Sequence, residues 1–249
     1  MSNKETGKEV MAMVQGELPD YLKNQAGQGR GSENVGAEDL VIPRVEVTQS
    51  LSPARNKKDP NYIEGCEEGD IYNNVTRELY GKDVMVIPVF FRKEFLIWKD
   101  RQKGGGFRGS FLSEAEAEDR LAEVAAEEGN DFDIVETAQH FVLVLHDNKI
   151  QEAVISMSKS KLKVSRNWNS LIRMNGGDSF SRVYKLASIS DTNAQNQEYY
   201  NFKISALGFP TEEVYKAAEK LYNVIKSGQF SVDAKFDEAA DVVGSPTEY

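Results

Sequence analysis

Six segments rich in β-branched and aromatic residues, 83–91, 94–99, 134–145, 150–157, 180–189 and 198–207, set most of what this chain can become. Asp147, Asn148 and Lys149 turn the third into the fourth, and the polar stretch 190–197 turns the fifth into the sixth, so these neighbours pair as antiparallel hairpins. Arg92 and Lys93 separate the first two, which form either a hairpin or one long bent strand. In the last segment Tyr200, Phe202, Ile204 and Ala206 alternate with Tyr199, Asn201, Lys203 and Ser205, so one face is core and the other carries exposed tyrosine and lysine.

Between these strands two stretches change to a helical period. Ser113 and Glu116 open an acidic helix that reaches about Glu128. In Ser158–Arg173, Val164, Trp168, Leu171 and Ile172 share one side, and Lys159, Lys163, Arg166 and Arg173 form a stripe nearly opposite. Trp168 is therefore expected to pack, and the stripe to face water. Thr211 caps a third helix with an apolar stripe of Val214, Ala218, Leu221, Tyr222 and Ile225.

Strands, a helix and a closing two-stranded hairpin define an α+β, mainly β chain. The expected architecture is an OB-like antiparallel barrel with a helix between the third and fourth strands, an acidic helical insertion at 111–133 and a C-terminal helix. Around this core, placed at 38–209, lie a glycine-bearing flexible arm at 1–37, the helix at 210–228 and an acidic flexible tail at 229–249.

The formal net charge is -10, from 40 acidic and 30 basic residues, which taken alone disfavours nucleic acid as a partner. The distribution argues otherwise. About ten acids crowd 114–136 against the single base Arg120, whereas the bases of 159–173 meet no acid. Arg92, Lys93, Lys99, Arg101, Lys103 and Arg108 interleave with Phe95, Trp98 and Phe107, the mixture of cations for phosphates and rings for unstacked bases that single-strand binding needs. Lys159, Lys163, Arg166 and Arg173 on the helix join this candidate site, and Arg182, Tyr184, Tyr199 and Lys203 extend it onto the last two strands.

Catalysis is not expected. No nucleophile elbow, His-Glu-x-x-His or Walker pattern occurs, and Gly104–Gly106 lack the spacing of a nucleotide-binding loop. Cys66, the single cysteine, sits among Glu64, Glu67, Glu68 and Asp70, which raise a thiol's pKa. His140 and His146 share a strand face but stand too far apart to ligate one ion, so neither metal nor cofactor is expected. The longest apolar run, Phe141–Leu145, is far short of a membrane span, so a soluble, cytoplasmic protein with no membrane partner is expected.

The run from Val154 through Ser158, Lys159, Lys163, Arg166 and Trp168 to Ile172, together with Asp39–Arg44 and Gln49–Pro53, resembles segments of tailed-phage replication-module proteins of the single-stranded-DNA-binding type. The resemblance spans about 39–209. It implies an OB-like barrel that coats single-stranded DNA during phage replication or recombination in the host cytoplasm, with an acidic tail that contacts replication or recombination proteins. Two other readings fit the residues: a phage structural or host-interaction protein acting through its acidic surface, and a strand-annealing recombinase. Self-association into a homo-oligomer is left open by the sequence.

Overall fold

The structure is a computed structural model that describes residues 42–100, 103–193 and 196–227. The expected arm at 1–37 and tail at 229–249 lie outside the described residues, as do Arg101 and Gln102.

Nine strands and three α-helices follow one another in this part of the chain. β1 (Val45–Val47), β2 (Ile71–Asn73) and β3 (Leu79–Gly81) make a small antiparallel sheet. β4 (Asp83–Lys99) and β5 (Phe107–Phe111) lead to α1 (Glu114–Glu128), the expected acidic helix. Its cap is the expected one, with the Ser113 hydroxyl accepting the Glu116 N–H at 3.3 Å. β6 (Phe132–His146), β7 (Lys149–Ser158), α2 (Leu162–Asn175), β8 (Tyr184–Thr192), β9 (Glu198–Ala206) and α3 (Glu212–Lys226) complete the order. The fold is α+β and mainly β, as the period analysis implies.

The first two predicted segments are one 17-residue strand, not a hairpin. Arg92 and Lys93 make no turn, because β6 runs alongside without a break and pairs them with Gln139 and Ala138. The bend is instead a register shift between Pro88 and Phe90. It falls where β8, which pairs only with Asp83–Val86, has already left the other edge of β4, so the N–H that proline lacks costs no ladder bond there.

The large sheet runs β7-β6-β4-β8-β9, with β5 added to the far half of β4. Among its five long strands the helix α2 does fall between the third and fourth in chain order. The expected OB-like barrel does not close: the hydrogen-bonded path ends at β7 on one side and β9 on the other. The segment 43–49 spans those two edges. Val154 N–H donates to the Pro43 carbonyl at 2.8 Å, and the Arg44 guanidinium donates to Ser156 Oγ at 2.7 Å. At the other end the Gln49 side-chain amide donates to the Tyr200 carbonyl at 2.7 Å and accepts the Tyr200 N–H at 2.8 Å. A side-chain amide thus satisfies the backbone groups that a neighbouring strand would otherwise meet. Gly69, at φ +77°, permits this seam: a Cβ there would lie 2.5 Å from the Tyr200 ring.

Both faces of the sheet are covered. Trp168 of α2 packs with Val86, Val142, Ile155, Tyr184 and Phe202 on one face. Ala218, Leu221 and Ile225 of α3 pack with Ile87, Phe141, Leu143 and Phe180 on the other. Val124 of α1 covers Ile97 and Phe132 near the β4–β5 turn. Burial of this kind is the main stabilising term, roughly 25 cal/mol per Å² of apolar surface removed from water. No helix among the described residues is long and apolar enough to cross a membrane.

Candidate functional site

The predicted site residues divide into two regions with different electrostatics. In the first, on β4 and β5, nearly every base has an acid beside it. Arg92 lies 2.5 Å from Glu94, and Lys93 lies 2.7 Å from Glu136. Arg108 grips the Glu128 carboxylate at α1's C-terminal end with two hydrogen bonds, of 2.9 and 2.8 Å, and Lys99 approaches the same carboxylate at 3.7 Å. That guanidinium holds the Glu128 carboxyl below its ordinary range. Lys99 and Arg108 also sit over the Phe132 ring, at 5.3 and 5.5 Å.

The rings of this region are largely occupied. Phe95 is buried, contrary to its assignment as a stacking residue, because its side of β4 turns inward with Ile97. Trp98 and Phe107 are half-buried and pack on each other, with centroids 5.1 Å apart and planes tilted by 51°. Lys103 is exposed in the turn that Gly104, Gly105 and Gly106 form with positive φ. Arg101 lies outside the described residues.

The second region is the solvent face of α2. Its registry follows from Trp168, which is fully buried and stacked on His140 at 4.5 Å with planes 21° apart. Ser165 Oγ lies 2.8 Å from His140 Nε2 on the same buried side. The opposite side then faces water, and Lys163, Arg166 and Arg173 are exposed. Arg166 and Arg173 have no ion pair among the described residues, and Lys163 faces Asp191, whose carboxyl lies below its ordinary range through a Thr192 N–H, the Tyr199 hydroxyl and, further off, this lysine. Lys159 precedes the helix in a single 3-10 turn, exposed and at φ +49°.

The strands beside α2 contribute unequally. Tyr199 is half-buried and donates its hydroxyl to Asp191 at 2.9 Å, and Lys203 is exposed on β9. Tyr184 is a core residue and not a ligand platform: it is fully buried, edge-on to Trp168 at 5.9 Å, with its hydroxyl accepting from Asn175 Nδ2 at 2.9 Å. The ambiguity of the 180–189 segment is resolved by β8 starting only at Tyr184, which turns that side chain inward. Arg182 precedes the strand, donates to Asn175 Oδ1 at 2.6 Å and covers the Phe209 ring at 5.0 Å.

Strand register links the two regions. Glu94 pairs with Thr137, and Thr137 pairs with Ser158, the residue before Lys159, so β4's basic stretch and the start of the stripe lie two strand spacings apart, about 10 Å. Phe91 stands three rows along the same strands, paired with His140, 41% exposed and with its ring 5.1 Å from the imidazole. Sequence reasoning missed Phe91 because a turn was expected directly after it. It also missed Phe209, whose place between Gly208 and Pro210, just outside a strand, was the available signal for an aromatic held at the surface.

His140 is pushed down to about 3 by burial, so it is neutral and structural. His146 has different company: Glu78, His146 and Asp147 bring one ligand atom each within 4.8 Å of one another, a set that could hold a metal ion, although Gln151 already donates to Glu78. The Cys66 thiol is pushed up, first by burial and only then by Asp70, while its contact with Thr48 Oγ1 opposes the shift.

Comparison with known proteins finds no matching curated protein and no matching solved structure. Residues 8–231, most of the 249-residue chain, match the family described as Pam3 phage gp34-like protein. The chain belongs to that family of phage proteins.

Proposed function

We propose that this phage protein binds single-stranded DNA without catalysing a reaction on it, protecting or organising the strand during phage replication or recombination in the host cytoplasm. The observation that carries this reading is the face of α2: Lys163, Arg166 and Arg173 project into solvent from one rigid, well-seated helix in a chain with net charge -10. An acidic protein repels polyanions at long range, so a concentrated cationic face marks where a phosphate backbone is able to approach. The exposed rings of Phe91 and Phe209 and the half-buried Tyr199 lie beside elements that pack with α2, which suits unstacked bases better than a closed duplex.

The strand order supports the same reading at the level of fold. Numbered by their place in the chain, the five long strands lie in the order 3-2-1-4-5 with a helix between the third and fourth, the arrangement of a five-stranded OB barrel opened between strands three and five. Such partly open Greek-key barrels bind oligonucleotides in many proteins, so the likeness is one of architecture and the function rests on the helix face.

A fluorescein-labelled thymidine oligonucleotide titrated at low ionic strength tests the proposal. Saturable binding is expected, weakening linearly in log salt concentration as released counterions dictate. No binding at low salt would overturn it.

One observation favours a second reading. Glu114, Glu116, Glu118, Asp119, Glu123 and Glu127 are all exposed on α1, and among these only Glu123 has a basic partner, Arg120 at 2.8 Å, among the described residues. A basic protein surface would dock there. Pull-down of a basic partner by the wild type, lost on neutralising these six, would support that role beside or in place of DNA binding.

A further inference from the structure

Phe209 is 76% exposed, which for a single surface phenylalanine needs no explanation by itself. Its mounting does. The residues before it are pinned to the start of β8, with Leu207 N–H donating to the Val183 carbonyl at 2.9 Å and Val183 N–H donating to the Gly208 carbonyl at 3.0 Å. Pro210 follows, restricting the backbone of Phe209, and Thr211 then caps α3 through the Val214 N–H. The ring is therefore held out from a fixed backbone.

One side of the ring is met by the Arg182 guanidinium, 5.0 Å from the centroid. That cation is itself anchored: Nη1 donates to Asn175 Oδ1 at 2.6 Å, and Asn175 donates in turn to the buried Tyr184 hydroxyl at 2.9 Å. Asn175 is the last residue of α2, two positions beyond Arg173, where the cationic face ends. Met174 beside it is 82% exposed. A line of phosphate-attracting charge thus runs into an anchored cation that carries an exposed aromatic ring.

From this juxtaposition we infer that Phe209, backed by Arg182, is a base-stacking platform at the C-terminal end of the α2 face. The inference rests on the single-strand reading above and specifies its ligand chemistry: the flat face of a nucleobase whose phosphates follow α2. Arg182 contributes by holding the ring's inner side and by adding positive charge, which polarises the stack favourably. Stacking of this kind tolerates every base, because each offers a π face.

The test compares two labelled probes of equal length, a thymidine oligonucleotide and an abasic sugar–phosphate strand, on wild type, Phe209→Ala and Phe209→Trp. Wild type is expected to prefer the base-bearing probe. Phe209→Ala should lose on the order of tenfold affinity for it while keeping its affinity for the abasic strand and its salt slope, and Phe209→Trp should restore the preference. Because the side chain is exposed, an unchanged melting temperature will certify that the variants are folded. Equal binding of the thymidine probe by wild type and Phe209→Ala would overturn the platform while leaving the α2 interface standing. An equal loss on both probes would overturn it too, as the effect would not come from the base. If wild type binds neither probe, the single-strand reading itself fails and takes the platform with it.

Discussion

The β4–β5 hairpin and the outer face of α2 hold similar numbers of bases, yet they differ in what surrounds them. In the hairpin Arg92, Lys93, Lys99 and Arg108 each have a carboxylate within 4 Å, supplied by β4 itself, by β6 and by the last turn of α1. On α2, Arg166 and Arg173 have no such partner among the described residues. Positive charge counted along a sequence window is therefore not the charge a ligand meets. Arg92 is met by its strand neighbour Glu94, but the acids on Lys93, Lys99 and Arg108 are Glu136 and Glu128, some twenty to forty residues away in the chain, brought in by the pairing of β4 with β6 and by the end of α1. The helix is spared because its outer face has no described element packed over it.

The largest effect should come from removing the seat that aims the helix. Trp168→Ala takes away a fully buried ring stacked on His140, and a loss of about 3–5 kcal/mol in unfolding free energy by urea denaturation is expected. Oligonucleotide binding should fall with it. A stable Trp168→Ala protein that had lost only affinity would mean that the tryptophan is a ligand contact and that the helix faces the other way.

His140 tests the same packed layer by pH. Its pKa in the folded state, about 3, lies below the ordinary 6.5 because burial disfavours the charged ring. Between those values the unfolded chain binds more protons, so the contribution is complete above pH 6.5 and is lost as pH falls. From pH 7.5 to pH 5 the loss should approach about 2 kcal/mol, and a His140→Gln variant should lack this slope whatever its absolute stability. A wild-type stability that stays flat over this range would show that the ring is not sequestered.

The smallest effect is expected in the hairpin. Arg108→Ala breaks the exposed pair with Glu128, and because that charge is already neutralised it should change oligonucleotide affinity by no more than about twofold. A tenfold loss would erase the contrast between the two regions.

Much of this arrangement is legible in the residues themselves. The alternation in 198–207, the cap at Ser113 and the placing of Trp168 on the inner side of its helix all follow from local periodicity, which reports what each element buries. The bridging of the open sheet edges by 43–49 was not legible, since it depends on the Gln49 amide meeting Tyr200 across 151 residues. Nor was the burial of Phe95 and Tyr184, whose strand faces are set by a bulge at Pro88 and by the late start of β8. The basic hairpin was misjudged for the same reason: apart from Glu94 beside Arg92, its partners Glu128 and Glu136 are long-range, and composition carries no record of them.

The central claim, that binding runs along α2 and not along the hairpin, is tested most directly by the salt dependence of affinity for a labelled thymidine oligonucleotide, measured on wild type, on Lys163→Glu with Arg166→Glu, and on Lys99→Glu with Arg108→Glu. The α2 pair should weaken binding by at least about tenfold at low salt and flatten the slope of log affinity against log salt by roughly two contacts' worth, with folding intact. The hairpin pair should leave that slope near the wild-type value. The opposite pattern, a wild-type slope in the α2 variant and a flattened one in the hairpin variant, would contradict the account.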